Sequence, residues 1–431
     1  MLTEFNCIYQ NETLTVWGSR MNKKNFTLLF LITTLFSQVG ESKNVIISPT
    51  ENDHETIQEA LILLQSGDSL TMRKGIYKFE DGLSLDIDNV MIKGEGKGET
   101  ILSFKNQVSG AQGLLVTSDG VILKDFAIED AKGDALKVIG ADGIYMINIR
   151  TEWTGGPKST NGAYGLYPVE SKDVLIDGCV AIGASDAGIY VGQSENIIVR
   201  NSRAHYNVAG IEIENSYYAD VYDNVASHNT GGILVFDLPD LPKQGGHHVR
   251  VFRNQAINND TDNFAPEGNI VGEVPRGTGI IIQANSDVEV FDNDISGNGT
   301  VNLSIVTYGA ETDDENYYPH PKSIQVHGNR FGNGGFDPDV DKAIAGILYE
   351  LSEGNMPDIF WDGVLPLTQM IFGQPEEEKL ILVNNGDASF LAIRPIKYML
   401  SLPGITSTDI ETYSGPIRPL SPVVMDIPEG V

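Results

Sequence analysis

The chain has 431 residues, enough for two or three ordinary domains or for one elongated repeat, so length alone leaves the architecture open. Its 59 acidic residues against 29 basic ones give a formal charge of −30, which repels nucleic acid and anionic lipid and excludes them as natural partners. The same excess opposes a polyuronate unless local Lys or Arg side chains, or a bound cation, neutralise the contact region.

Residues 1–40 read as a mis-called start followed by a signal peptide. Lys23 and Lys24 precede an apolar run from Phe26 to Phe36, and small and polar residues follow around Val39 and Gly40. That is the layout of a secretory signal, and the run is too short to span a bilayer. Met1 to Arg20 lacks the character of a signal's basic start, so Met21 is read as the first residue of the precursor. The expectation is export to a bacterial periplasm or to the medium. Removing this segment removes Cys7 and leaves Cys179 alone, so no internal disulfide is expected and stability must come from burial.

Residues 41–80 read as a cap, with an amphipathic helix over Thr56–Gln65, a Ser-Gly-Asp turn and then strands. From 81 to 363 the chain repeats itself. A Gly-apolar-x-apolar strand recurs as "GLLV" at Gly113, "GLYPV" at Gly165, "GIYV" at Gly188, "GIEI" at Gly210, "GILV" at Gly232 and "GIII" at Gly279. "NLSI" at Asn302 and "GILY" at Gly346 read as further copies. Between Gly165 and Gly232 the starts differ by 23, 22 and 22 residues, so each unit is one coil of a solenoid that cannot bury its apolar face alone. A second strand follows in each unit, as in "DVLIDG" and "NIIVRN", and mostly ends on asparagine. Asn201, Asn224, Asn254, Asn293 and Asn329, with Asn207, Asn229, Asn259, Asn298 and Asn333 a few residues later, are read as corner ladders, because Asn tolerates the left-handed backbone of a tight corner. Residues 364–431 read as one more strand pair, "KLILVNNGDASFLAI", and a proline-bearing tail from Leu402 that wraps the body or extends from it.

These repeats, with the capping helix before them, resemble right-handed parallel β-helix proteins of the pectate-lyase-like kind. The "PDIFWDG" segment at Pro357 is similar to that of exported β-helix repeat proteins. The resemblance implies an all-β fold, a right-handed parallel β-helix of about nine to eleven coils with an N-terminal capping helix, in a chain expected to be a monomer.

Four insertions, Thr151–Ala163, Asp237–His247, Asn258–Thr278 and Thr307–Lys322, all flank the Gly-apolar-x-apolar strands and would wall a cleft over them. With the apolar residues turned inward, strand alternation gives the floor as Lys137, Tyr167, Tyr190, Glu212, Leu234 and Ile281. Rings beside charges suit a polysaccharide or oligosaccharide, with Lys137, Arg150, Tyr190 and Glu212 as binding residues.

"YGLYPV" at Tyr164 resembles the Tyr-Gly-Phe-Asp-Pro-His motif of mannuronan C5-epimerases, which implies a uronate-type lyase or epimerase with Tyr164 and Tyr167 as catalytic residues. Tyr167 stands where that motif has Asp and Val169 where it has His, and valine can move no proton. Tyr167 could act as a base only if Lys137 and Arg150 lowered its pKa. Two further readings follow. Glycoside hydrolysis needs two carboxyl groups, which Glu212, Glu214, Asp186 and Asp237 could supply. A binding or surface protein would keep the cleft and lack the acid/base set. His205 and His228 are expected to stack at successive corners. No cofactor is certain, although the acidic loops "NNDTDNF" and "DPDVD" could hold Ca²⁺.

Overall fold

The computed structural model describes residues 42–431, so the signal segment, Met21 and Cys7 lie outside the described residues. Among the described residues three sheets run side by side, two of twelve strands and one of ten, parallel throughout but for one terminal strand. Sheet I holds the "DVLIDG"-type strands, sheet II the Gly-apolar-x-apolar strands, and sheet III the short three-residue strands between them. Strand triplets from Leu83–Leu85 to Arg330–Phe331 make nine complete coils, with partial coils at both ends. Successive coils stay in register: Leu136 pairs with Leu166, Ile189 with Ile211, and Ile211 with Ile233. Every one of these side chains is fully buried, which fixes the register by placing the same apolar position of each coil in one continuous core.

The cap is a helix over Asp53–Leu63, slightly earlier than the sequence pattern suggests. Ile57 and Leu61 face the first coils, while the buried Asp53 carboxylate accepts hydrogen bonds from the Thr50 and Lys78 amides, so the start of the helix is set by its acid rather than by its apolar spacing. At the other end, strands Ile359–Trp361, Ile381–Val383 and Phe390–Ile393 extend sheets I and II past the last obvious repeat, and Thr406–Ser407 pairs antiparallel with the last of them. From Arg418 to Val431 the tail lies across sheet I. Arg418 and Gln325 exchange two hydrogen bonds, the Leu420 amide donates to Glu289, the Val423 amide donates to Asp220, and the Gly430 carbonyl accepts from Lys124.

Two asparagine ladders follow the coils, with a shifted membership. One runs Asn207, Asn229, Asn259, Asn298 and then Asn302, each amide donating to the next at 2.9–3.1 Å; Asn302, not Asn333, continues it. The other runs from Ser202 through Asn224, Asn254, Asn293 and Asn329 to Asn385. Asn201 is not a rung. It occupies the left-handed corner one residue earlier, as do Asp223, Arg253 and Asp292 in later coils. The left-handed backbone therefore belongs to the residue before every rung but Asn302, and asparagine is chosen because its amide both donates and accepts.

The same displacement separates the histidines. His205 stands level with Ser227, whose hydroxyl it meets at 2.9 Å, whereas His228 stacks on Tyr206 and pairs with Asp260. "GILY" at Gly346 is not a strand either. It lies in a helix over Ala343–Leu351, whose Ala345 and Leu348 are buried at i, i+3, a spacing that a four-residue motif is too short to reveal. The helix belongs to a fifth insertion on sheet II, between Phe331 and Ile359.

Candidate functional site

Sheet II carries the outward column expected from alternation. Lys137 pairs with Tyr167, Tyr190 with Glu212, Glu212 with Leu234, and Leu234 with Ile281. The column is not an open floor. Leu234 is fully buried and Ile281 nearly so, because Leu238, Val271, Val274 and Leu348 from the insertions join them in a second apolar cluster. The insertions therefore roof the C-terminal part of the sheet instead of walling it, and Tyr190 and Glu212 are buried beneath them, at 4% and 1% exposure.

What remains is a cavity of about 460 Å³, within the range of about 300–1,000 Å³ usual for small-ligand sites. Tyr164, Asp186, Glu212 and Glu214 line one side of it. Leu238–Leu241 and Asn269–Val271, from the second and third insertions, line the other, with Tyr308 from the fourth. The Asn269 amide donates to Asp186 at 3.2 Å and ties its insertion to the acid. The Tyr190 hydroxyl donates to Glu214 at 2.6 Å. The rings of Tyr164, Tyr167 and Tyr190 pack on one another with centroids 4.3–5.0 Å apart. Tyr190 can lie this low only because Gly192 has no side chain: a Cβ there would sit 2.2 Å from the tyrosine hydroxyl.

Burial dominates the electrostatics of the three acids. Desolvation, then the Glu214 charge, pushes the Asp186 carboxyl up to about 7. Desolvation also raises Glu214 to about 7, with the Asp237 charge adding and the Tyr190 hydroxyl opposing. Glu212 is driven well above the usual carboxylate range, by desolvation first and by Glu214 and Asp186 second, and its Oε2 has no hydrogen-bond partner. Burial thus raises all three acids, and two of them, Asp186 and Glu214, hold their protons only in part at neutral pH, which is the state a proton-transferring site requires.

The remaining expected site residues fall outside this cavity. Lys137 stands with its Nζ 4.7 Å from the centroid of the Tyr167 ring and 3.7 Å from Asp134. Arg150 is a strand residue of sheet III and is bound to Glu129 and Glu152, so it does not reach sheet II. Neither cation activates the phenols. Burial, then the Asp134 charge, raises Tyr167 to about 12, and burial raises Tyr164 further, with Asp186 the next cause. Asp237 turns to its own loop, accepting from the Gly246 amide at 2.7 Å, while its backbone carbonyl accepts from Tyr317. The pair Glu212 and Glu214 was legible as two acids at i, i+2 on the outward face of "GIEIE"; Asn269, deep in an insertion, had no such signal.

The acidic loops are engaged by cationic side chains. Arg276 bridges Asp262 and Asp337, and Asp260 pairs with His228. Among the described residues no cluster of three or more His, Cys, Asp or Glu is arranged to hold a metal ion. A second cavity, of about 320 Å³, lies at the seam where Arg418 enters sheet I, lined also by Lys322, Gln325 and Glu377.

A family model described as "Right handed beta helix region" matches residues 88–240. This is a right-handed parallel β-helix protein. The chain is similar in fold to the A-module of the Azotobacter vinelandii mannuronan C-5 epimerase AlgE4, with a TM-score of 0.54, 16% identity, and coverage of 80% of this chain and 95% of that one. A crystal structure of pectate lyase Pel9A is also similar, with a TM-score of 0.42, 13% identity, and coverage of 69% and 71%. No curated protein matches the sequence. Among the described residues no helix of this β-helix protein is long and apolar enough to cross a membrane.

Proposed function

We propose that this β-helix protein is exported and acts on a polysaccharide, holding a few sugar units in the cavity over sheet II and moving protons with Glu212, Asp186 and Glu214. The observation that carries the reading is the convergence of three carboxyl groups from neighbouring coils in one cavity, two of them held near pH 7 and the third higher. A glycosidic bond is cleaved by an acid that protonates the leaving oxygen and a second carboxylate that activates water or attacks the sugar. Glu212 is the most strongly protonated and serves as the acid; Asp186 or Glu214 serves as its ionised partner. Tyr164 supplies a ring against the apolar face of a sugar. The neighbours in fold, a mannuronan epimerase and a pectate lyase, turn the reading toward carbohydrate.

One observation favours a second reading, a uronate-type lyase or epimerase. Lys137 stands against Tyr167 beside Tyr164, placing a cation for a sugar carboxylate next to phenols that could give a proton. Against it, the cavity itself offers a uronate four carboxyl groups and no cation.

A panel of neutral, amino-sugar and uronic-acid polymers, followed for new reducing ends, unsaturated products and epimer ratio, with and without Ca²⁺, decides between them. Hydrolysis of a glycan without uronic acid is expected, with Glu212→Gln lowering kcat by about 10²–10⁴-fold. Binding without product from any polymer would leave a carbohydrate-binding protein and remove the catalytic reading.

A further inference from the structure

The charge lining the cavity is of one sign. Asp186, Glu212, Glu214 and Asp240 border it, and no Lys, Arg or His does. Lys137 lies three strand spacings from Glu212 along the column, about 14 Å away, and is already placed against Asp134 and Tyr167. Glu212 has one oxygen without a partner in a side chain 1% exposed, at the wall of a cavity large enough for a ligand. A buried carboxyl left this way is costly unless something supplies a donor or a positive charge. The other acids have donors of their own, from Asn269 and Tyr190, so Glu212 is the group that lacks one.

We infer that the sugar taken into this cavity carries a primary ammonium group, an unacetylated amino sugar, which donates an N–H to the unpartnered Oε2 of Glu212 while Asp186 or Glu214 carries the balancing charge. This rests on the carbohydrate reading above and narrows its substrate class. The ammonium is a three-donor point charge, and it takes the place of a proton on Asp186 or Glu214. The Tyr164 ring, which lines the cavity, favours a nearby cation as well. An N-acetylated unit brings no charge, and a uronate brings the wrong one.

Titration calorimetry of the full chain at pH 6, with β-1,4-linked tetramers of glucosamine, N-acetylglucosamine and glucose in two buffers of different ionisation enthalpy, tests this. The titratable groups around the ligand are Asp134, Asp186, Glu212, Glu214, Asp237, Asp240 and the three tyrosines, of which Asp186 and Glu214, half-protonated near pH 7, are the ones that release protons here. The glucosamine tetramer is expected to bind at least tenfold more tightly than either neutral tetramer, with release of about one proton. That preference is expected to shrink in both Glu212→Gln and Asp186→Asn. Equal affinity for the three tetramers, or tighter binding without proton release, overturns the inference and leaves the carbohydrate reading intact. Spermidine binding as tightly as the tetramer overturns the sugar half of it. No binding by the glucosamine tetramer overturns it outright, whereas the carbohydrate reading falls only if the wider polymer panel gives neither binding nor product.

Discussion

Glu212 shows what a buried acid costs when it is kept for chemistry. A carboxyl whose folded pKa is raised contributes stability while it is protonated, below its unfolded pKa, and loses it as pH rises through the folded value. Asp186 and Glu214, moving from the ordinary carboxylate range up to about 7, lose theirs between about pH 4 and 7, and Glu212 loses its own higher still. Glu212→Gln removes one member of the trio without changing its shape. The variant is expected to unfold at a higher temperature than the wild type at pH 8, by about 2 kcal/mol of stability, and at the same temperature at pH 4. Thermal melts at the two pH values check this; a variant less stable at pH 8 would mean that Glu212 is held by a partner and serves the fold.

Within each coil, the glycine and the asparagine of the repeat are two halves of one device. A Cβ at Gly210 would lie 2.8 Å from the Asn229 amide and 2.5 Å from the Gly232 carbonyl, and Gly232 stands in the same way against Asn259. The strand thus gives up a side chain so that the ladder can pack against its backbone. Asn229 accepts from the Asn207 amide and donates to Ala204 and Asn259, all in the interior. Asn229→Ala leaves those groups unpaired and is expected to cost about 2–4 kcal/mol by chemical denaturation, against little for Asn333→Ala, which lies outside the ladder. The repeat period, the two strand types and the capping helix were legible because they are periodic in sequence. The helix at Ala343–Leu351 was not, since "GILY" satisfies a strand and a helix equally over four residues. Nor was the roofing of the floor. Val271, Val274 and Leu348 come from insertions that share no period, so nothing in the sequence tells whether they stand beside the sheet or fold onto it. Asn259, Asn298 and Asn302 each open an Asn-x-Ser/Thr triplet, but all three are fully buried rungs of the ladder.

Across the whole molecule, most contacts join neighbouring coils, so a solenoid unfolds nearly as a one-dimensional chain of repeats. The C-terminal tail breaks that rule. It reaches from Gln325 to Lys124, past eight consecutive strands of sheet I, with Val423, Met425 and Val431 against the outward column of Ile122, Tyr145, Leu175 and Ile198. It also seals polar groups: Asp220, raised to about 6 by burial, faces Arg250 at 3.1 Å and accepts the Val423 amide. A strap that touches distant coils makes the loss of any one of them cost contacts at others. Deleting residues 416–431 is therefore expected to lower stability by about 2–4 kcal/mol, the scale of burying two or three apolar side chains in part, and also to broaden the unfolding transition. Hydrogen exchange separates these effects. With the tail present, the strands at Ile122, Leu175 and Glu289 exchange through one common opening; without it, the N-terminal coils open independently of the C-terminal ones. A truncated chain that melts as sharply as the full one, with uniform exchange across sheet I, would show that the coils are coupled through the core alone and that the tail only covers them.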